Sequence, residues 1–172
     1  MNKIELLVAF AILAVALSNI SSSQQKTLYN VQVDEVVDGD TIEVSGEIDA
    51  TVRLLGVDTP EVSSTNNPEE YGMQDTVQRR DCLSRYGDRA TEYVAERINN
   101  TEVNLKVDPS ADRRGDYGRL LAYVQTENTS INKMLLEDGL ARLYPSEFSK
   151  LEKYRTVQTQ SKERQRGIWS CQ

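Results

Sequence analysis

The sequence predicts an α+β fold, a five-stranded β-barrel carrying three α-helices, and three observations predict it. A run of alternating apolar and polar residues rich in Val, Ile and Thr occupies positions 29–61, broken by the turn pairs Asp38-Gly39 and Ser45-Gly46. Two more alternating segments follow much later, VNLKVD (103–108) and RLLAYVQT (119–126). Between and after them, apolar residues recur at helical spacing.

In chain order, the first run reads as a three-stranded meander. The stretch from 64 to 81 is polar, and Asn66-Asn67-Pro68 is turn chemistry, so a loop with a helical part is expected there. Ala90, Tyr93, Val94 and Ile98 then predict a helix over about 88–98. The fourth strand, a charged loop (PSADRRGDYG) and the fifth strand come next. Ile131, Met134, Leu135 and Leu140 predict a second helix ending near Gly139, and FSKLEKYRTVQTQSKERQRG a third, closed by Gly167, with Ile168 and Trp169 as a packing anchor. One helix between strands three and four, and two after strand five, is the order of an OB-fold barrel, a fold that does not by itself give function.

The chain has 172 residues, enough for one domain with a real core. Residues 1–23 combine Lys3, an apolar run from Leu6 to Leu17 and small polar residues, which predicts a signal peptide and a secreted protein; an uncleaved membrane anchor is the alternative. A linker is expected over 24–30 and the folded domain over 31–170. Cys82 and Cys171 are the two cysteines. In an exported protein they read as one disulfide closing a loop of about 90 residues, on the order of 4 kcal/mol; two unpaired thiols are the alternative.

The net charge is −7, which counts against nucleic-acid binding by a broad basic surface but not against a focused cationic pocket. Histidine is absent altogether, which excludes Ser-His-Asp triads, His-based zinc sites and His general bases. Carboxylates, Tyr, Lys or a metal-bound water must then move protons. An acidic surface richer in Arg than Lys suggests a high-salt setting.

Three clusters carry chemistry: Asp38-Gly39-Asp40-Thr41; Arg53 with Asp58, Thr59 and Glu61; and Tyr117-Gly118-Arg119. Each alone reads as a turn or a salt-bridged strand end. Together, two Asp carboxylates and a main-chain carbonyl suit a hard cation such as Ca²⁺, a free Glu suits a water, and two Arg suit a phosphate. That is a metal-assisted phosphodiester hydrolase.

These clusters, with RLLGVDTPE (53–61), YGRLLAY (117–123) and Gly167-Ile168-Trp169, resemble the thermonuclease (staphylococcal-nuclease-like) family over roughly 31–169. The resemblance implies Ca²⁺ held by Asp40, Asp58 and the Thr59 carbonyl. It implies Glu61 acting on the attacking water, Arg53 holding the phosphate, and Arg119 stabilising the transition state and leaving oxygen. Tyr117 and Tyr144 would bind substrate. A monomer that cuts DNA and RNA, leaving 3′-phosphate ends, is expected; an inactive OB-fold binding module or a phosphodiesterase acting on small diesters is the alternative. Two departures stand out: an enlarged loop over about 62–85 holding Cys82, and Asp116 where the family often has Lys.

Overall fold

The structure is a computed structural model, and it describes residues 27–63, 65–127 and 129–172. The expected signal peptide and residues 24–26 of the expected linker lie outside these residues. Among the described residues, β1 (Leu28–Asp38), β2 (Thr41–Gly46), β3 (Ala50–Leu54), β5 (Glu102–Lys106) and β6 (Leu120–Gln125) close a barrel in the order β1-β2-β3-β6-β5. The α+β, OB-fold prediction is met. The expected linker is shorter, because Leu28 already pairs with Lys106 and Tyr29 is buried.

Alternation puts Val31 and Val33, Ile42 and Val44, Val52 and Leu54, Val103 and Leu105, and Leu120 and Val124 inside the barrel. Each such side chain contributes roughly 1.5–3 kcal/mol by leaving water. β1 is long and shifts register between Val33 and Glu35 and again between Val36 and Asp38. Such bulges bend a strand and increase its twist. The parallel β3–β6 pairing sets Val52 beside Leu120 and Arg53 beside Leu121.

The first helix, α1, spans Val77–Ile98, three turns more than the sequence suggests. Before Gly87, Leu83 is its one fully buried side chain, so periodicity is hard to read there; the Thr76 side chain caps it by accepting from the Arg79 N–H. The enlarged segment thus divides into a loop containing a 3₁₀ turn, Pro68–Tyr71, and the start of α1. The second helix, α2, spans Ile131–Glu137, and the third, α3, spans Leu151–Glu163. The third ends before Gly167 because Gln165 takes a φ of 50°, and Gly167 instead opens a 3₁₀ turn, Gly167–Cys171, that lays Ile168 and Trp169 against α1.

Two features of the fold position the site. A two-residue ladder joins β4 (Val57–Asp58) to β7 (Arg142–Leu143), setting Asp58 opposite Arg142. A satellite core of Tyr71, Met73, Leu83, Ile168, Trp169 and Cys171 fixes the enlarged segment to the C-terminal turn. The Cys82–Cys171 disulfide staples the same place, with Cα atoms 5.9 Å apart.

Candidate active site

The DGDT turn joins β1 to β2. Asp38 Oδ1 accepts from the Asp40 N–H at 3.0 Å, a local hydrogen bond that shapes the turn. Gly39 is packed so closely that a Cβ there would lie 2.7 Å from Ala90 Cβ and 2.8 Å from Thr59 Cγ2. The turn, the segment after β4 and helix α1 therefore meet with no room for a side chain.

Asp40 points inward and is 2% exposed. Its Oδ2 accepts from the Thr59 N–H at 3.0 Å and its Oδ1 from the Thr41 hydroxyl at 3.1 Å. Arg53 pairs with Thr41 across β2–β3 and so emerges beside it. Its Nη1 donates to Asp40 Oδ1 at 2.6 Å and its Nη2 to Asp58 Oδ1 at 2.5 Å. The other oxygen of Asp58 lies 2.8 Å from Arg142 Nη2 as an ion pair, and the same Nη2 donates to Glu70 Oε2 at 2.6 Å. The ring of Tyr71 lies under the Arg142 guanidinium, 5.4 Å from its carbon. One chain of charges therefore runs Asp40–Arg53–Asp58–Arg142–Glu70.

Burial pushes the Asp40 carboxyl up to about 7, with Asp38 and Asp58 adding to the rise and Arg53 opposing it. Burial thus disfavours the charged form of Asp40, and a cation bound beside it would favour that form. Asp40 and Asp58 already converge on a single cationic group, and Thr59, bound through its N–H to Asp40, belongs to the same cluster. This donor set fits a hard divalent cation completed by water. Among the described residues no group of three or more His, Cys, Asp or Glu side chains is placed to hold a metal ion, so the carboxylates of this set are two, Asp40 and Asp58.

Glu61 is exposed and lines a cavity of about 440 Å³ with Asp58, Thr59, Asn66, Arg142 and Tyr144. Its main chain is tied to Asn66: the Glu61 N–H donates to Asn66 Oδ1 at 2.9 Å, and Asn66 Nδ2 donates to the Glu61 carbonyl at 2.7 Å. A second cleft, of about 190 Å³, is lined by Arg53, Arg114, Asp116, Arg119 and Tyr144, among others. Tyr144 borders both cavities, with the Arg53 guanidinium 5.8 Å from its ring.

The structure thus sets Arg53, Asp58, Thr59, Glu61, Arg119 and Tyr144 around two cavities that share Tyr144, with Asp40 buried against Arg53 and Thr59. Tyr117 is not among them: at 97% exposure and a φ of 61° it stands on the surface, its ring 5.7 Å from the Arg119 guanidinium. Sequence reasoning missed Arg142, Glu70 and Asn66. The one signal for Arg142 was its place two residues before Tyr144. Asn66 sat in a stretch that looked like ordinary turn chemistry.

Comparison with known proteins adds lineage. The family model described as Staphylococcal nuclease homologue matches residues 51–171. An uncharacterized protein of Methanocaldococcus jannaschii is 37% identical over 150 residues, covering 83% of this chain and 72% of that protein. Endonuclease YncB of Bacillus subtilis is 37% identical over 154 residues, covering 87% of this chain but 65% of its own length, just under two thirds. The Thermonuclease of Staphylococcus hyicus is 30% identical over 156 residues, covering 89% and 81%.

Proposed function

Because the chain belongs to the staphylococcal nuclease homologue family, we propose that it is a nuclease that uses Ca²⁺ to hydrolyse phosphodiester bonds of DNA and RNA, leaving 3′-phosphate ends. The observation that carries this reading is the convergence of Asp40, Arg53 and Asp58 between the Arg53–Arg119 cleft and the cavity that Glu61 lines.

Asp40, Asp58 and the Thr59 carbonyl would hold the ion, which supplies Lewis-acid stabilisation of the charged phosphate when bound. The chain's own residues do the rest. Arg53 and Arg119 hold the phosphate by charge-assisted hydrogen bonds and offset the charge that builds in the transition state. Glu61 accepts a proton from the attacking water as the new O–P bond forms. The bond from phosphorus to the 5′ oxygen breaks, and that oxygen takes up a proton. Histidine is needed at no stage.

Secretion is part of the same reading, supported by the apolar N-terminal run and by the disulfide. Protein recovered from the culture medium, with an N-terminus beyond residue 17, is the expected result; retention in the cell with residues 1–17 intact would overturn it.

The deciding experiment is cleavage of single-stranded and duplex DNA with Ca²⁺, Mg²⁺ or chelator, alongside Glu61→Gln and Arg53→Ala. Calcium-dependent cutting that both variants reduce to a small residual rate, with 3′-phosphate ends, is expected. A folded protein that binds DNA but cuts nothing under any condition would overturn the enzyme reading. Cutting confined to a dinucleotide-type diester would replace it with a small-diester phosphodiesterase.

A further inference from the structure

We propose that the enlarged segment after Glu61 braces the water-activating carboxylate, with Asn66 as its positioning residue. The proposal rests on the nuclease reading and deepens it.

Glu61 has no strand to hold it. β4 ends at Asp58, Pro60 cannot donate a main-chain hydrogen bond, and the next regular element is the 3₁₀ turn at Pro68. An exposed carboxylate on such a stretch should wander, yet water activation needs it placed within fractions of an ångström. Asn66 meets that need. It is 6% exposed and spends its amide on the Glu61 main chain from both directions, at 2.9 Å and 2.7 Å. The same Nδ2 lies within 2.9 Å of the Ser63 carbonyl and 3.2 Å of Ser84 Oγ, which ties the loop to α1. Ser84 in turn donates to the Ser63 carbonyl at 2.7 Å.

A second contact acts from the other side. At Gly87 the backbone of α1 lies so near that a Cβ would fall 2.5 Å from the Pro60 carbonyl oxygen and 2.8 Å from that of Glu61. Glu61 is thus gripped between the loop amide and the helix. The loop itself is anchored farther on, where Tyr71 and Met73 join the satellite core and Glu70 binds Arg142. A segment that resembles a mere insertion therefore fixes the backbone of one reacting group and, through Arg142, reaches the carboxylate of Asp58.

The test is Asn66→Asp and Asn66→Ala, each alone and combined with Glu61→Gln. Readouts are kcat and KM separately, Ca²⁺ affinity measured without substrate, hydrogen exchange at the Glu61 amide, and thermal unfolding. The expected result is a fall in kcat of roughly 10- to 100-fold with KM and Ca²⁺ affinity nearly unchanged, faster exchange at Glu61, and no added loss in the Glu61→Gln background. Unchanged kcat in both variants, losses that multiply with that of Glu61→Gln, or losses that merely follow the unfolded fraction would each overturn it. A wild-type protein that cuts nothing would instead overturn the nuclease reading, and the brace with it.

Discussion

Asp58 and Arg142 face each other across the β4–β7 ladder, and their side chains meet at 2.8 Å while Arg53 holds the opposite oxygen of the same carboxylate. Both Asp58 oxygens are thereby fixed, and the carboxylate cannot rotate without breaking an ion pair. Partners behind a ligand commonly matter almost as much as the ligand itself. Arg142→Ala should lower kcat/KM by about tenfold and stability by about 1–2 kcal/mol, since it leaves Glu70 and one oxygen of Asp58 without their cation. Steady-state kinetics and urea unfolding read both effects. Wild-type kcat/KM in this variant would show that Asp58 needs no such partner.

Gly87→Ala is expected to behave against the usual rule. In an ordinary helix interior the change stabilises by roughly 1 kcal/mol. Here the new methyl collides with the carbonyl oxygens of Pro60 and Glu61, so the segment carrying the base must move. A marked drop in kcat, with the helix retained by circular dichroism, is the expected outcome; an active, stabilised variant would mean that the loop yields freely.

Acid sensitivity should centre on Asp108, far along the chain from the DGDT turn. It is buried and accepts from Tyr123 Oη at 2.5 Å, the Ser149 N–H at 2.8 Å and the Ser110 N–H at 2.8 Å. Burial alone would raise its carboxyl, but these hydrogen bonds and that of the Ser149 hydroxyl outweigh it and hold it down to about 2, from an ordinary 3.8. With the folded value depressed, the stability it contributes, about 2 kcal/mol, is present above pH 4 and is lost as pH falls from 4 through 2. Urea unfolding between pH 2 and 6 should therefore give a steeper acid limb for the wild type than for Asp108→Asn. Parallel limbs would remove Asp108 from the account.

The disulfide joins residues 89 apart in sequence. In the chain-entropy picture, removing it costs on the order of 4 kcal/mol. Thermal unfolding with and without reductant, and of the Cys82→Ser/Cys171→Ser variant, should show a large drop in midpoint. Equal midpoints would mean that the satellite core holds these elements together without covalent help.

The acidic surface makes a prediction about salt. A net charge of −7 repels a polyanion at low ionic strength, and at about 1 M salt the Debye length shrinks to about 3 Å. Cleavage should persist in molar salt, where a basic relative loses its charge-driven affinity. Loss of activity together with fold at that salt would contradict this.

The barrel was legible because its strands are half-buried, so period-two alternation survives in Val31, Val33, Ile42 and Val44. Asp40, Arg53 and Asp58 each read alone as a turn or a salt-bridged strand end, and they were legible only together, as acids and a guanidinium in motifs that share one chemistry. The first turns of α1 were hidden because their faces contact a loop and a disulfide rather than the main core, leaving Leu83 as the single deeply buried apolar side chain before Gly87. Arg142 and Glu70 stand 72 residues apart, and no local pattern links them. Asn66 has the composition of a turn and the environment of a core residue, a difference that only its partners reveal.

Trp169 is the chain's one tryptophan, 1% exposed, with the Tyr71 ring at 6.5 Å and the Lys162 ammonium 4.3 Å from its own. The molecule therefore carries an optical reporter inside its smaller core. Its emission follows the detachment of the segment behind Glu61, whereas far-ultraviolet dichroism follows the helices and barrel. Regions with their own small core can open at a lower free energy than the whole. The gap between the two denaturation curves measures how independently that region opens while the barrel stays folded.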